Sequence, residues 1–355
     1  MEIQLKKAPA NECKPKPDAS ALGFGRHMAD HMFIMTWNQE QGWHNAAIQK
    51  YSDFTLDPAA MVLHYGQAIF EGLKAFRGKD GRIHLFRPTA NLARMNKSAE
   101  RMCMPQIPEE EVMTGLRMLI EADADWVPGN QGASLYIRPT MIATEPALGV
   151  RPSSQYLFYI ITCPVGAYYP EGFNPVKIYV TDKYVRAVPG GVGAAKTAGN
   201  YAASIMAAME AQKAGYTQVL WLDAVERRYV EEVGTMNIFF VIGDEIITPP
   251  LSGSILPGIT RQSVIQLLAD WGMPVVERKI DIDEVFTAAE NGQLKEIFGT
   301  GTAAGISPVG ALHFNDRDCT INGGNTGQLS QRLFDQLQGI QYGDLPDQHH
   351  WIETL

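Results

Sequence analysis

Apolar positions recur along this chain in two rhythms. Short alternating or continuous apolar runs at residues 33–37, 46–48, 82–86, 135–142 and 156–163 predict strands, the third of them after an Asp80-Gly81 turn. Residues 61–65 lead into GQAIFEGLKAFR, an apolar segment punctuated by Gly66 and Gly72. Beyond Pro88 the spacing changes: Leu92, Met95 and Ala99 fall on one helical face, with Thr89 as the expected N-cap. A second helix is expected over 109–125, where Glu109, Glu110 and Glu111 suit the N-terminal dipole and Met113, Leu116, Leu119 and Ile120 face inward until Pro128-Gly129.

The second half repeats the alternation. Strands are expected at 176–180, 218–222, 230–236 and 296–298, with a hairpin in FFVIGDEII around Gly243-Asp244. Helices are expected at 200–213, closed by Gly215, and at 260–271, followed by Gly272. Residues before 22 are rich in Lys, Pro and Asp and predict an arm, with the first ordered element near Leu22. Proline and glycine cluster at 168–175, the expected interdomain connection. The resulting division is an arm over 1–21, an α/β domain over 22–167, that connection, and a second domain over 176–355.

Composition narrows the function classes. A chain of 355 residues with 45% hydrophobic and 19% charged residues predicts a soluble two-domain protein able to bury a deep pocket. Its net charge of -9 argues against nucleic-acid or anionic-membrane partners. The longest apolar run, around 156–169, is broken by Thr162, Pro164 and Gly166, so no membrane span or export signal is expected. Cys13, Cys103, Cys163 and Cys319 form no CxxC pair, which fits reduced thiols in a cytoplasm. His27 and His31 are four apart, but Met28 stands where a zincin needs Glu, and no metal site is expected; His349 and His350 read as a solvated tail.

Four stretches carry candidate chemistry. In GGVGAAKTAGNY, Lys196 is flanked by Gly193, Ala194, Ala195, Ala198 and Gly199, so a flat ligand can approach its backbone, and poorly hydrated surroundings would favour a nucleophilic amine. In YVEEVGTMNIFF, Glu231 or Glu232 enters an apolar strand and requires a cation, such as a protonated ring nitrogen. LPGITRQS turns directly into a helix and leaves the amides of Ile259 and Thr260 for a phosphate. TGTAA, residues 300–304, offers amides and hydroxyls to a second anion. A competing reading takes GGVGAAKT with VLWLD as a nucleotide-hydrolase P-loop and its magnesium strand; Ala195 in place of Gly and Pro189 before the loop count against it.

Taken together, GGVGAAKTAGNY, EEVGTMNIFF, LPGITRQS, GTGTAAGISPV, LHYGQAIFEGLKAFR and LFRPTANLARM resemble, in order and spacing, the branched-chain amino-acid aminotransferases of the longer type, from about Phe24 to Gly343. The resemblance implies a fold-type IV pyridoxal-phosphate enzyme, with a smaller N-terminal α/β domain and a larger C-terminal pseudo-barrel domain, assembled as a homodimer. It implies that Lys196 is the Schiff-base lysine and general acid/base, and that Glu232 rather than Glu231 partners the pyridine nitrogen. Tyr201 is implied at the phenolic oxygen, with Arg94, Ile259, Thr260 and Thr302 around the phosphate.

The substrate carboxylate is implied near Thr302, Ala303 and Tyr65, and the aliphatic side chain among Phe24, Phe70, Tyr136, Tyr201 and Thr235. Leu148 and Val150 would close that pocket from the partner subunit, and Arg138 would meet the distal carboxylate of glutamate. Ala304 and Ser307 stand where mammalian relatives carry a thiol pair, so redox control through it is not expected. The implied reaction is reversible ping-pong transfer of the amino group of Leu, Ile or Val to 2-oxoglutarate. D-Amino-acid aminotransferase and aminodeoxychorismate lyase share the fold and are the nearest alternatives.

Overall fold

The structure, a computed structural model, describes residues 1–18, 21–166 and 173–355. Residues 168–172 of the expected interdomain connection lie outside them. The chain divides into two compact units, one comprising Met1–Tyr168, Ala195–Ala198 and Gly339–Leu355, the other Tyr169–Ala194 and Gly199–Gln338.

The first unit contains β1 (Gln4–Leu5), β2 (His31–Asn38), β3 (Gly42–Lys50), α1 (Met61–Tyr65), β4 (Ala68–Phe70), β5 (Leu73–Arg77), β6 (Ile83–Phe86), α2 (Pro88–Arg101), α3 (Glu109–Ala122), β7 (Ser134–Ala143) and β8 (Gln155–Val165). Residues at alternate positions point to opposite sheet faces, and one face, bearing Phe33, Met35, Leu73, Ala75, Leu135, Ile137, Phe158 and Ile160, is buried. The inward stripes of α2 (Leu92, Met95, Ala99) and α3 (Val112, Leu116, Leu119, Ile120) belong to the same core. That leaves the other face, with Tyr136, Arg138 and Lys74, free to carry chemistry.

The second unit contains β9 (Val176–Thr181), α4 (Ala198–Lys213), β10 (Gln218–Leu222), β11 (Val230–Val233), β12 (Asn237–Ile242), β13 (Glu245–Thr248), α5 (Ile259–Asp270), β14 (Val275–Glu277), α6 (Ile282–Glu290), β15 (Leu294–Gly301), β16 (Gly305–Phe314), β17 (Arg317–Thr320) and α7 (Gln328–Tyr342), the last running on into the first unit. Its strands run in the order β11-β10-β9-β16-β15-β12-β13-β14, with β17 paired to β16. Glycine fits the backbone where several turns require it: Gly215 past α4 has φ 87° and Gly272 past α5 has φ 70°.

The final strand, β18 (Ile352–Thr354), pairs antiparallel with β6. It completes the first unit's sheet, β1-β3-β2-β8-β7-β5-β6-β18, with β4 on β7. The tail is therefore not simply solvated: His349 stacks on Trp351 with centroids 4.7 Å apart, and the Tyr342 hydroxyl donates to Ala133 O at 2.6 Å and accepts from Gly132 N–H at 3.0 Å. These partners explain why Gly339–Leu355 groups with the N-terminal half rather than with the residues preceding it.

Three other expectations change. Order begins before Leu22: β1 pairs parallel with β3 through Gln4–Ala47 and Leu5–Ile48, and Lys14 Nζ donates to Met28 O and Ala29 O at 3.1 Å each. Thr89 is not the cap of α2; that place belongs to Arg87 in the left-handed region (φ 50°), with Pro88 at the first helical position, where proline loses no helical bond. The expected strand over 230–236 ends at Val233, because Gly234 (φ 56°) turns the chain. No helix among the described residues is long and apolar enough to cross a membrane.

Tyr342→Phe removes both hydroxyl bonds and takes from the carbonyl of the buried Ala133 the donor it has here. It is expected to lower stability by about 1–3 kcal/mol in urea unfolding. A shift indistinguishable from zero would show that the C-terminal segment is held by other contacts.

Candidate active site

In the first unit, the main chain around Lys196 is held on three sides. Its N–H donates to Ser98 Oγ of α2 at 2.9 Å, and its carbonyl accepts from Phe70 N–H at 3.0 Å. Next to it, the Thr197 hydroxyl donates to Ala68 O at 2.8 Å, and Thr197 forms an antiparallel bridge with Ile69. The lysine thus rides on a strand-like segment zipped to β4, with Nζ 5.1 Å from the Phe70 ring centroid. It does not sit in a P-loop. Strand β9 ends at Thr181, well before the glycines, and α4 starts after the lysine at Ala198, so the strand–loop–helix continuity required for phosphate cradling is missing.

Phe70 also lies under a guanidinium: Arg138 Cζ is 4.7 Å from the same ring and 5.2 Å from Tyr136. Arg138 Nη2 donates to the Tyr136 hydroxyl at 3.0 Å, and Phe24 meets Tyr136 edge-on at 4.9 Å. The tyrosine leans over β5 because residue 72 has no side chain; a Cβ on Gly72 would lie 2.0 Å from its oxygen. Phe24, Phe70, Tyr136, Arg138 and Lys196 therefore form one assembly, an aromatic wall carrying an amine and a guanidinium. Tyr65 ends α1 and is 40% exposed. Leu148 and Val150 are exposed, at 71% and 90%.

Arg94 is buried in α2, and Glu71 grips its fork through Nε–Oε1 at 2.7 Å and Nη2–Oε2 at 2.8 Å. Sequence reading missed Glu71. Its signal was available, since an acid between Phe70 and Gly72 in an apolar run needs a cation.

In the second unit, both acids of YVEEV are buried, so neither belongs to a surface pair. Glu232 is 2% exposed on β11; Asn237 Nδ2 donates to Oε1 at 3.1 Å, while Arg186 Nη1 lies 2.6 Å from Oε2 as an ionic contact off the hydrogen-bond line. Arg186, itself 7% exposed, also donates to Ser254 O at 2.9 Å. Glu231 accepts from Ser254 Oγ, and burial pushes its carboxyl above the ordinary range despite that bond. The two glutamates thus differ in kind, one facing a charge and the other a hydroxyl. Arg186 and Asn237 were not anticipated from sequence; lying 46 and 5 residues from Glu232, they form no local motif.

Ile259 and Thr260 are buried at the start of α5 after Gly258, where a Cβ would lie 2.0 Å from Asn237 Oδ1. The amide that steadies Glu232 thus also packs against the entrance of that helix. Thr302 and Ala303 follow β15 and are partly exposed, Thr235 is exposed in the turn after Gly234, and Tyr201 is half-buried in the first turn of α4. Asn200 Nδ2 donates to Val192 O at 2.8 Å and ties that turn to the glycine-rich loop. Thr300 Oγ1 is buried without a hydrogen-bond partner among the described residues.

These residues fit pyridoxal phosphate. Glu232 is an enclosed carboxylate suited to a protonated ring nitrogen, the amides at the head of α5 suit a phosphate, and Lys196 is an amine held on a rigid backbone. No group of three or more metal-ligating side chains occurs among the described residues; His31 is spent on Asp123, with Nδ1–Oδ1 at 2.6 Å.

Comparison with known proteins agrees with this chemistry. The family model described as amino-transferase class IV matches residues 68–312. Branched-chain-amino-acid aminotransferase 2 of Bacillus subtilis (strain 168) is 55% identical over 342 residues, 96% of this chain and 94% of its own length. The branched-chain-amino-acid aminotransferase of Mycolicibacterium smegmatis is 50% identical over 352 residues, 98% of this chain and 96% of its own. Among solved structures, the branched-chain amino acid aminotransferase of Escherichia coli superposes with a TM-score of 0.76 at 26% identity, covering 91% of this chain and 98% of that one. A T.th. branched-chain amino acid aminotransferase, solved with pyridoxamine 5'-phosphate, gives a TM-score of 0.75 at 27% identity over 90% of this chain and 97% of that one.

Arg186→Met leaves Glu232 buried without its cation and is expected to cost about 3–5 kcal/mol in chemical denaturation, with Arg186→Lys costing less. Equal stability of all three proteins would show that the pair contributes nothing.

Proposed function

This chain belongs to the amino-transferase class IV family, and from that premise we propose that it is a branched-chain L-amino-acid transaminase. It moves the amino group of Leu, Ile or Val reversibly to 2-oxoglutarate, with pyridoxal 5'-phosphate as cofactor. The observation that carries this reading is the ring of Phe70, shared between the amine of Lys196 at 5.1 Å and the guanidinium of Arg138 at 4.7 Å. An aliphatic side chain is bound by burial against Phe24, Phe70 and Tyr136, at roughly 25 cal/mol per Å² of apolar surface. A glutamate side chain entering the same place finds Arg138 for its carboxylate. One pocket that accepts both donors implies a ping-pong cycle.

The bound cofactor supplies an aldehyde that accepts the amino group and a ring that withdraws electrons from the substrate. The protein supplies position and protons. Lys196 Nζ would serve as the base that takes up the proton lost from the substrate α-carbon and as the acid that gives it up again, and its main-chain bonds keep that amine from drifting. Glu232 would keep the cofactor's ring nitrogen protonated, and Tyr201 would donate to its phenolic oxygen. Arg94, Ile259, Thr260 and Thr302 would hold the phosphate; Thr302, Ala303 and Tyr65 would receive the substrate carboxylate, and Thr235 would add to the wall.

The enzyme acts as a homodimer in which the partner subunit's Leu148 and Val150 close the side-chain pocket. Support comes from their exposure and from the exposed Ile205, Met206 and Met209 of α4, apolar side chains that a lone chain leaves in water. A cytoplasmic setting is supported by four free cysteines.

The purified protein is expected to be yellow, to lose its near-visible absorption on borohydride reduction with the label fixed on Lys196, and to transaminate L-leucine with 2-oxoglutarate. Activity with D-alanine or aminodeoxychorismate alone would overturn the substrate assignment. Magnesium-dependent nucleotide binding by a colourless protein would overturn the reaction. Lys196→Ala is expected to abolish turnover, and wild-type-like turnover in that variant would remove Lys196 from the mechanism.

A further inference from the structure

The loop of residues 144–154 joins β7 to β8, and the reading above uses only its tip. Its first limb is tied to the segment that leads into α1: Met61 N–H donates to Glu145 O at 3.0 Å, Ala147 N–H donates to Ala59 O at 3.1 Å, and Pro146 forms an antiparallel bridge with Ala60. Its second limb is tied to the first. Arg151 grips Glu145 through a fork, Nη1–Oε2 at 2.9 Å and Nη2–Oε1 at 2.6 Å, and Ser154 N–H donates to the same Oε2 at 2.6 Å. At the base, the Gln67 amide oxygen accepts from Ser153 N–H at 3.4 Å and from the Tyr156 hydroxyl at 3.3 Å. Between the clamped points lie residues 146–150, with the exposed Leu148 and Val150 among them.

A loop fastened on both limbs holds its apolar tip out in water by construction. The fork orients more than it stabilises: the Arg151 side chain is 51% exposed, and an exposed ion pair adds little to the fold, whereas two parallel bonds to one carboxylate fix a geometry. The Arg151 fork and the Ser154 amide hold the Glu145 carboxyl down at about 2, so the clamp stays charged through the neutral range. A loop ordered beforehand avoids the entropy cost that a slack one meets on docking. This loop leaves β7 at Ala143, five positions beyond Arg138 and seven beyond Tyr136, or about 16 to 23 Å along an extended strand. A tip launched from there is placed for the aromatic wall of a second copy of this chain rather than for its own, and two-fold pairing makes the exchange mutual.

Resting on the homodimeric transaminase reading, we infer that Arg151 and Glu145 are positioning residues: their fork presets the loop so that Leu148 and Val150 close the side-chain pocket of the other subunit. The fork therefore acts in trans. Leucine binding depends on it, and proton transfer at Lys196 does not.

The test uses the cofactor-loaded wild-type, Arg151→Met and Arg151→Lys proteins, and mixed dimers prepared by co-expression under two affinity tags. Arg151→Met is expected to raise KM for L-leucine about tenfold, or about 1.4 kcal/mol, with kcat and the urea midpoint little changed. Arg151→Lys, which keeps the charge but not the fork, is expected to fall between. In a mixed dimer of Arg151→Met with Lys196→Ala, the one subunit that keeps its lysine is covered by an intact loop, so KM for leucine returns to the wild-type value. In a mixed dimer of wild-type with the Arg151→Met, Lys196→Ala double variant, the working site is covered by a slack loop and KM stays raised. An unchanged KM in Arg151→Met would overturn the inference. So would a raised KM in the first mixed dimer, which would place the action of the fork within its own subunit. A lowered urea midpoint with equal defects in both mixed dimers, the sign of a merely structural role, would overturn it as well, as would a wild-type protein that transaminates leucine as a monomer. Failure of the wild-type protein to transaminate leucine would instead overturn the parent reading, so the two failures are distinguishable.

Discussion

A carboxylate enclosed by hydrocarbon loses the water that stabilises its charge, and each unit of this protein meets that cost with an arginine. In one unit Glu71 holds Arg94 through both oxygens; in the other Glu232 faces Arg186 on one side and Asn237 on the other. Each pair fixes more than itself. Arg94 is anchored between α2 and the β4–β5 link, while Asn237 also donates to Leu256 O and lies against Gly258 at the head of α5. A change in either acid would disturb both a charge and the chain segments that present the candidate ligands.

The elements most legible in the sequence were those with sustained periodicity. Helix α3, with three acids in its first turn and a four-residue apolar stripe, and β7 and β8, with their long alternation, lie where the pattern puts them. The first ordered element was misplaced because β1 is only two residues long and exposed at both; its place depends on backbone pairing with β3, which leaves no side-chain signal. The cap of α2 was misassigned because Arg87 takes a left-handed conformation that residue type does not advertise, and proline after it obscures the usual Ser/Thr signal.

For the candidate chemistry, the asymmetry is between near and far. Lys196 stood out through its small neighbours, which also define its backbone environment. Glu232 stood out as an acid in an apolar strand. Their supports, Ser98 for the lysine segment and Arg186 for the glutamate, lie 98 and 46 residues away in sequence and become visible only once strands and helices are assembled. A sequence announces which group is chemically anomalous; it seldom says which distant residue makes the anomaly tolerable.

The two ends of the first sheet carry one further consequence. Its edge strands are β1, of two residues, and β18, of three, contributed by opposite ends of the chain. A row of unpaired amides that short gives another molecule little to zip onto, and the stretches it covers, Ala47 and Ile48 of β3 and His84, Leu85 and Phe86 of β6, are kept from templating fibrous or domain-swapped assemblies. Trimming either terminus, as is common when preparing proteins for crystallisation, would unpair Ala47 and Ile48 of β3 or His84, Leu85 and Phe86 of β6. The short strands β1 and β18 are thus guards against aggregation, and changes there are better judged by solubility than by fold.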